Sequence, residues 1–237
     1  MREVVGSTSE EKRMIKAVQR AIGALDNGYI GNQTMSEIAA RVGADCFPLN
    51  VELFGQPCLI AKDIEPLVPK DRLPENSISG SFSWAGAPCS ILVRGGRVVR
   101  GESCHCPAPE SVLYRTNDGA VHSARIASAD ALPLSETVWA VGGMGLLELY
   151  DPAAEGFTGA YSDVLRKTDH TVLGYKGGML YGVYCRSKSA QQVNAFVRDK
   201  LRLEMAVMLD GGHVAAIRAA NDRINTSQRQ LYAVRFL

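Results

Sequence analysis

From Asn76 onward the chain is cut into short apolar runs by glycine turns, and no other feature restricts its fold as much. Gly-Gly pairs stand at 95–96, 142–143, 177–178 and 211–212. Glycine takes positive φ without a steric penalty, so a pair of glycines between two short apolar runs marks a hairpin or a tight bend. Ile91–Val93 and Arg97–Val99 flank the first pair, and Val172–Tyr175 and Met179–Val183 flank the third. Asn117-Asp118-Gly119 joins Val112–Tyr114 to Val121–Ile126, and Asp-Gly between apolar runs is a strong hairpin signal. Thr137–Gly142 reads as a further strand, Ser77–Trp84 as a half-buried strand by its alternation, and Gln230–Phe236 as a last strand closing the sheet. One good helix interrupts the series. Ser189 and Gln192 form a capping box, and Val193, Phe196, Val197 and Leu201 line one face. The pattern predicts an α+β domain over residues 76–237, with a mixed, mostly antiparallel β-sheet, hairpins and few helices.

The chain before it reads differently. Thr8 and Glu11 suggest a capping box, followed by Met14, Ile15, Val18 and Ile22 at helical spacing. A turn cluster at Asp26–Gly31 precedes a second helix bearing Met35, Ile38, Ala39 and Val42, with Gly43 past its end. Residues 1–45 are therefore expected to form a small helical hairpin domain. Pro66, Pro69 and Pro74 fall within nine residues, so 46–75 reads as a proline-rich linker or extended crossover. The order Val18–Gly23, Asp26-Asn27-Gly28, Ile30-Gly31, Thr34 resembles the peptidoglycan-binding repeat found beside cell-wall hydrolases. An ordinary helical hairpin accounts for the same residues.

Charge and apolar content narrow the function classes. The net charge of +1 leaves no electrostatic footprint for nucleic acid. No apolar window is long enough to span a bilayer, so no membrane partner is expected. Met1–Ser9 lacks an apolar signal core, which implies synthesis in the cytoplasm, with any release dependent on a phage or on lysis. Six cysteines are compatible with disulfides, but a chain of 237 residues does not need them, and free, mostly buried thiols are expected. Cys104-His105-Cys106 does not have zinc spacing, since neighbours on a strand face opposite ways and no second pair matches. No metal and no cofactor is expected.

The run Met205–Leu209 reads as a buried strand that ends abruptly in Asp210-Gly211-Gly212-His213, with Val214–Ile217 resuming the apolar pattern. Such a bend delivers an acid and an imidazole to the rim of a scaffold. An aspartate that merely bonds its own turn is the plainer alternative. Leu209-Asp210-Gly211-Gly212 resembles the Leu-Asp-Gly-Gly-Gly-Ser motif of the phosphodiester glycosidases, the N-acetylglucosamine-1-phosphodiester alpha-N-acetylglucosaminidase-like domains. His213 stands in place of the third glycine. Ser79-Gly80-Ser81-Phe82 is similar to that family's Asn-Gly-Gly-Phe-Phe, with Ser79 in place of the asparagine. Around Thr171 and Gly174 the family writes Pro-Arg-Thr-Ala-Ile-Gly, so His170 replaces its phosphate-facing arginine and Arg166 stands four residues upstream. The order hairpin, helix, strand, Asp-Gly-Gly matches over about 50 residues.

The resemblance implies a hydrolase that cleaves a sugar from a phosphodiester, with a carbohydrate or sugar-phosphate as partner and peptidoglycan as a further one through the helical repeat. Asp210 is the candidate catalytic carboxylate, and His213 and His170 are candidates for proton transfer or phosphate contact, since an imidazole titrates in the neutral range. Substrate contacts fall to Ser79, Gly80, Gly142, Gly143, Arg166, Thr171, Gly211 and Gly212. The competing expectation is a glycan-binding or phage structural module that keeps the fold without turnover.

Overall fold

The computed structural model describes residues 4–5, 9–21, 29–30, 46–48, 59–69, 73–103, 108–218, 223–224 and 232–237. The chain divides into two compact units, Met1–Cys46 and Phe47–Leu237. In the first, a helix at Ser9–Ala21 accompanies an antiparallel pair of Val4–Val5 with Tyr29–Ile30. Met14 and Val18 share a helix face, as i, i+4 residues must, but both are exposed while Gln19 is buried. The turn at 26–28, the second helix read at 35–42 and Cys104-His105-Cys106 lie outside the described residues.

The second unit is mostly antiparallel sheet with few helices. Its larger sheet runs in the order Arg97–Arg100, Leu92–Arg94, Thr137–Gly145, Met205–Met208, Thr168–Lys176, Met179–Lys188, and the described pairings are antiparallel. Glu110–Thr116 pairs with both Thr137–Gly145 and Val121–Ile126. The smaller sheet runs Arg223–Ile224, Ile217–Arg218, Ser77–Ser79, Tyr232–Phe236, Ile64–Pro69. Residues 59–69, inside the proline-rich stretch, thus carry strands of both sheets: Ile60–Ala61 pairs with Met179–Lys188 and Ile64–Pro69 with Tyr232–Phe236.

The turn chemistry accounts for the hairpins. Gly95-Gly96 and Gly177-Gly178 have positive φ at both positions, the two-residue geometry that matches strand twist. At Asn117-Asp118-Gly119 the Asp118 carboxylate accepts from Thr116 Oγ1 at 2.6 Å and from the Ala120 N–H at 3.0 Å, locking the turn. The capping box at Ser189 and Gln192 is formed, and it starts the helix Ala190–Phe196.

The main core lies between the two sheets. Leu92, Leu113, Trp139, Val141, Leu173, Leu180 and Val207 of the larger sheet meet Ile78, Ile217, Val234 and Phe236 of the smaller. Each fully buried side chain of this size contributes roughly 1.5–3 kcal/mol by leaving water. Ser77–Ser79 is buried on both faces rather than half-buried, because its serines bond backbone instead of water. One expectation about cysteine is corrected as well. Cys89 is disulfide-bonded, since pairing depends on which side chains meet in space and not on chain size.

Candidate functional site

The Asp210 bend is where the chain leaves one sheet for the other. Met205–Met208 sits between Thr137–Gly145 and Thr168–Lys176, whereas Ile217 pairs with Ile78 in the smaller sheet. The two apolar runs are therefore not a hairpin. Between them Gly212–Val214 forms one 3-10 turn, entered through Gly212 at φ +62°. That conformation favours glycine.

Neighbouring strands hold the bend at several points. The Asp210 N–H donates to Gly80 O at 3.1 Å, and Thr171 Oγ1 donates to Asp210 O at 3.0 Å. The Leu209 N–H donates to Thr171 O at 2.8 Å. On the far side, Ser79 Oγ donates to Val214 O and accepts from the Ala216 N–H at 2.7 Å. Ser79 and Gly80 thus fix the backbone of the bend. Gly80 itself is pressed against Tyr232, with its N–H on Tyr232 O at 3.0 Å.

The carboxylate of Asp210 accepts from the Gly211 N–H at 2.9 Å and from Ser83 Oγ at 3.3 Å. The residue is half-buried, and burial pushes its carboxyl up to about 7. The two hydrogen bonds oppose that rise and the like charge of Asp163 adds to it. At neutral pH such a group holds a proton about half the time, which suits an acid–base role.

His170 and Arg166 close in on the glycines. A Cβ on Gly211 would fall 2.8 Å from Asp169 O and 3.0 Å from His170 Nδ1; one on Gly212 would fall 3.8 Å from a terminal guanidinium nitrogen of Arg166 and 3.7 Å from Thr168 Oγ1. His170 is buried, its Nε2 lies 3.3 Å from Arg166 O, and burial holds its pKa below the usual histidine value. The imidazole packs against Gly211. Arg166 is exposed, and so is His213, on the outer side of the turn. Gly142 and Gly143 belong to the sheet behind. Their missing side chains make room for Glu110, whose Oε2 would be 2.7 Å from a Cβ on Gly142, and for Met208 O, 2.5 Å from one on Gly143. The protein itself takes up the space beside these two glycines.

Sequence reasoning missed Ser83 and Asp163, which act on Asp210 directly. It also missed two buried carboxyls, Glu110 on a strand of the larger sheet and Glu155 in the turn that follows Thr137–Gly145. Glu110 accepts from the Ile91 N–H at 2.7 Å, and burial pushes it up to about 8. Nothing local marks these residues in the sequence. Among the described residues no group of three or more His, Cys, Asp or Glu side chains could hold a metal ion, and no helix is long and apolar enough to cross a membrane.

No family model and no curated protein sequence matches the chain. Among solved structures it is similar to the zebrafish N-acetylglucosamine-1-phosphodiester alpha-N-acetylglucosaminidase catalytic domain auto-inhibited by its pro-peptide. That match has a TM-score of 0.49 and 16% identity, and covers 67% of this chain and 61% of that one. A hypothetical protein from Synechocystis gives 0.38 and 12%, over 74% and 51%. The chain spans less than two thirds of either structure. The relationship is a distant structural one.

Proposed function

We propose that the chain is a glycosidase-type hydrolase that cleaves the bond between a sugar and a phosphate in a sugar-1-phosphodiester. The observation that carries the reading is the placement of Asp210: a carboxyl raised to about 7 at a glycine bend, with the guanidinium of Arg166 beside the next glycine. A phosphodiester brings an anion and an anomeric C–O bond to one place. A cation beside a proton donor suits that pair.

In this mechanism protonated Asp210 gives its proton to the bridging oxygen as the anomeric C–O bond breaks. The bonding electrons leave with the phosphate. Water adds at the anomeric carbon, and its surplus proton returns to solvent, from which Asp210 is recharged. Arg166 and exposed His213 contact the phosphate, Gly212 lets it approach the backbone, Gly211 makes room for His170, and His170 holds the bend from beneath. Ser79, Gly80 and Thr171 fix the carboxyl's position.

The test is release of a phosphomonoester from a sugar-1-phosphodiester by the purified chain. Asp210→Asn should lower kcat about 100-fold, the size expected for loss of a general acid. Unchanged hydrolysis in that variant would remove the assignment. Tight binding with no product from the unaltered chain would favour the non-catalytic glycan-binding module.

A further inference from the structure

The segment between the strands Thr137–Gly145 and Thr168–Lys176 carries Asp163 and Arg166 to the bend. Its middle, 158–163, is exposed, and its regular structure is a 3-10 helix at Gly159–Leu165 with no buried residue. Such a segment has little packing of its own to hold it in place. Its start is held by the Leu147 N–H on Asn194 Oδ1 at 2.7 Å and the Leu146 N–H on Ala206 O at 3.2 Å, and further along it is tied down by Glu155. That side chain is fully buried. Its Oε1 accepts from Ser111 Oγ at 2.9 Å, from the Gly145 N–H at 3.1 Å and from Arg125 Nη2 at 3.3 Å. Its Oε2 accepts from the Gly145 N–H at 3.1 Å and the Ser111 N–H at 3.4 Å. Arg125 Nη2 also donates to Leu149 O, so one guanidinium grips the segment twice. Phe157, two residues on, is buried with its ring centroid 5.7 Å from that of Phe82, next to the Ser83 that bonds Asp210.

We propose that Glu155 is a positioning residue: its buried carboxylate clasps the 146–166 segment to the larger sheet and thereby holds Asp163 and Arg166 at the Asp210 bend. Apolar packing alone could bury a loop at this place. A carboxylate ringed by directed donors also fixes its register, because each oxygen accepts along set directions. Gly145 is part of the device. A Cβ there would lie 2.4 Å from Ser111 Oγ and 2.7 Å from Glu155 Oε1.

The catalytic consequence rests on the hydrolase reading, whereas the placement of the segment does not. The charged and titratable groups around the Asp210 bend are Asp163 and Arg166 from the segment, Asp169 and His170 from the Thr168–Lys176 strand, and His213 on the bend itself. Releasing the segment removes the like charge of Asp163, which raises Asp210, and opens the bend to water, which lessens the burial that raises it further. Burial is the largest of these, so Asp210 should titrate lower once the clasp is broken.

The experiment uses the full chain with Glu155→Gln and, as a milder break of the same clasp, Ser111→Ala. Carbon NMR of the aspartate carboxyls, with the Asp210 signal assigned by its loss in Asp210→Asn, should show Asp210 titrating about one unit lower in Glu155→Gln. Ser111→Ala should shift it by less in the same direction. Proteolysis within 158–165 should accelerate about tenfold or more. A merely structural Glu155 would lower the unfolding midpoint and leave the Asp210 titration in place. An unmoved titration together with unchanged proteolysis overturns the proposal. If Glu155→Gln does not fold, Ser111→Ala decides by the same two readouts. Absence of hydrolysis in the unaltered chain would overturn the hydrolase reading alone, since neither readout requires turnover.

Discussion

Glu110→Gln offers the most direct check on the buried electrostatics of this fold. The carboxyl of Glu110 is almost fully buried, and burial raises it from 4.5 to about 8 against the opposing hydrogen bond from the Ile91 N–H. The folded chain therefore holds the Glu110 proton more tightly than the unfolded chain does. The resulting stability is fully present below the unfolded value of 4.5 and is lost as pH rises through about 8. One pKa unit corresponds to about 1.4 kcal/mol, so between pH 5 and pH 8 the unaltered protein should lose about 3 kcal/mol through this group alone. Glutamine has nearly the same shape as the protonated acid, keeps a carbonyl for the Ile91 N–H and cannot ionise. The stability difference between Glu110→Gln and the unaltered chain should thus move by about 3 kcal/mol in the variant's favour across that window. Urea unfolding at several pH values, followed by the fluorescence of buried Trp139, reads it directly. The raised carboxyl of Asp210 is common to both proteins and largely cancels in the difference, whereas Glu155, whose like charge helps to raise Glu110, is coupled to it and is relieved in the variant. Parallel stability curves from pH 5 to 8 would refute the reasoning, because they would mean that Glu110 is not held protonated by burial.

Other outcomes follow from the same geometry. Ser83→Ala removes a hydrogen bond that favours the charged form of Asp210, so its carboxyl should rise further and the high-pH limb of hydrolysis should move up by about half a unit. A pH–rate profile measures this, and a limb that stays or moves down counts against Asp210 as the proton donor. Gly143→Ala places a Cβ 2.5 Å from Met208 O in the middle of the larger sheet and should cost about 3 kcal/mol, read by urea unfolding. A cost near zero would mean that Met205–Met208 does not lie where it is described.

Much of the fold is legible in the sequence because the turn residues carry their own instructions. Gly95-Gly96, Gly177-Gly178 and Asn117-Asp118-Gly119 each force a hairpin through local backbone chemistry, and Ser189 with Gln192 writes its own helix start. Gly142-Gly143 and Gly211-Gly212 were less informative, because a glycine pair in isolation does not say whether it makes a turn or an opening. At 142–143 the absent side chains admit Glu110 and a neighbouring strand; at 211–212 they make room for His170 and lie beside Arg166. The Asp210 bend itself could be found from its abrupt change of residue type. Its partners could not. Ser83, Asp163 and Glu155 reach their targets across 127, 47 and 44 residues of chain, and such distances leave no local pattern to read.

The strand Arg97–Arg100 ends the described path of the larger sheet, and Val98 and Val99 on it are exposed. Two adjacent β-branched residues on an outer strand invite a second chain to add to the sheet and begin an aggregate. Here they are bracketed by Arg97 and Arg100, whose like charges would face their own copies in any such stacking. Like-charged guanidinium groups at both ends of such a strand disfavour its pairing with a second copy.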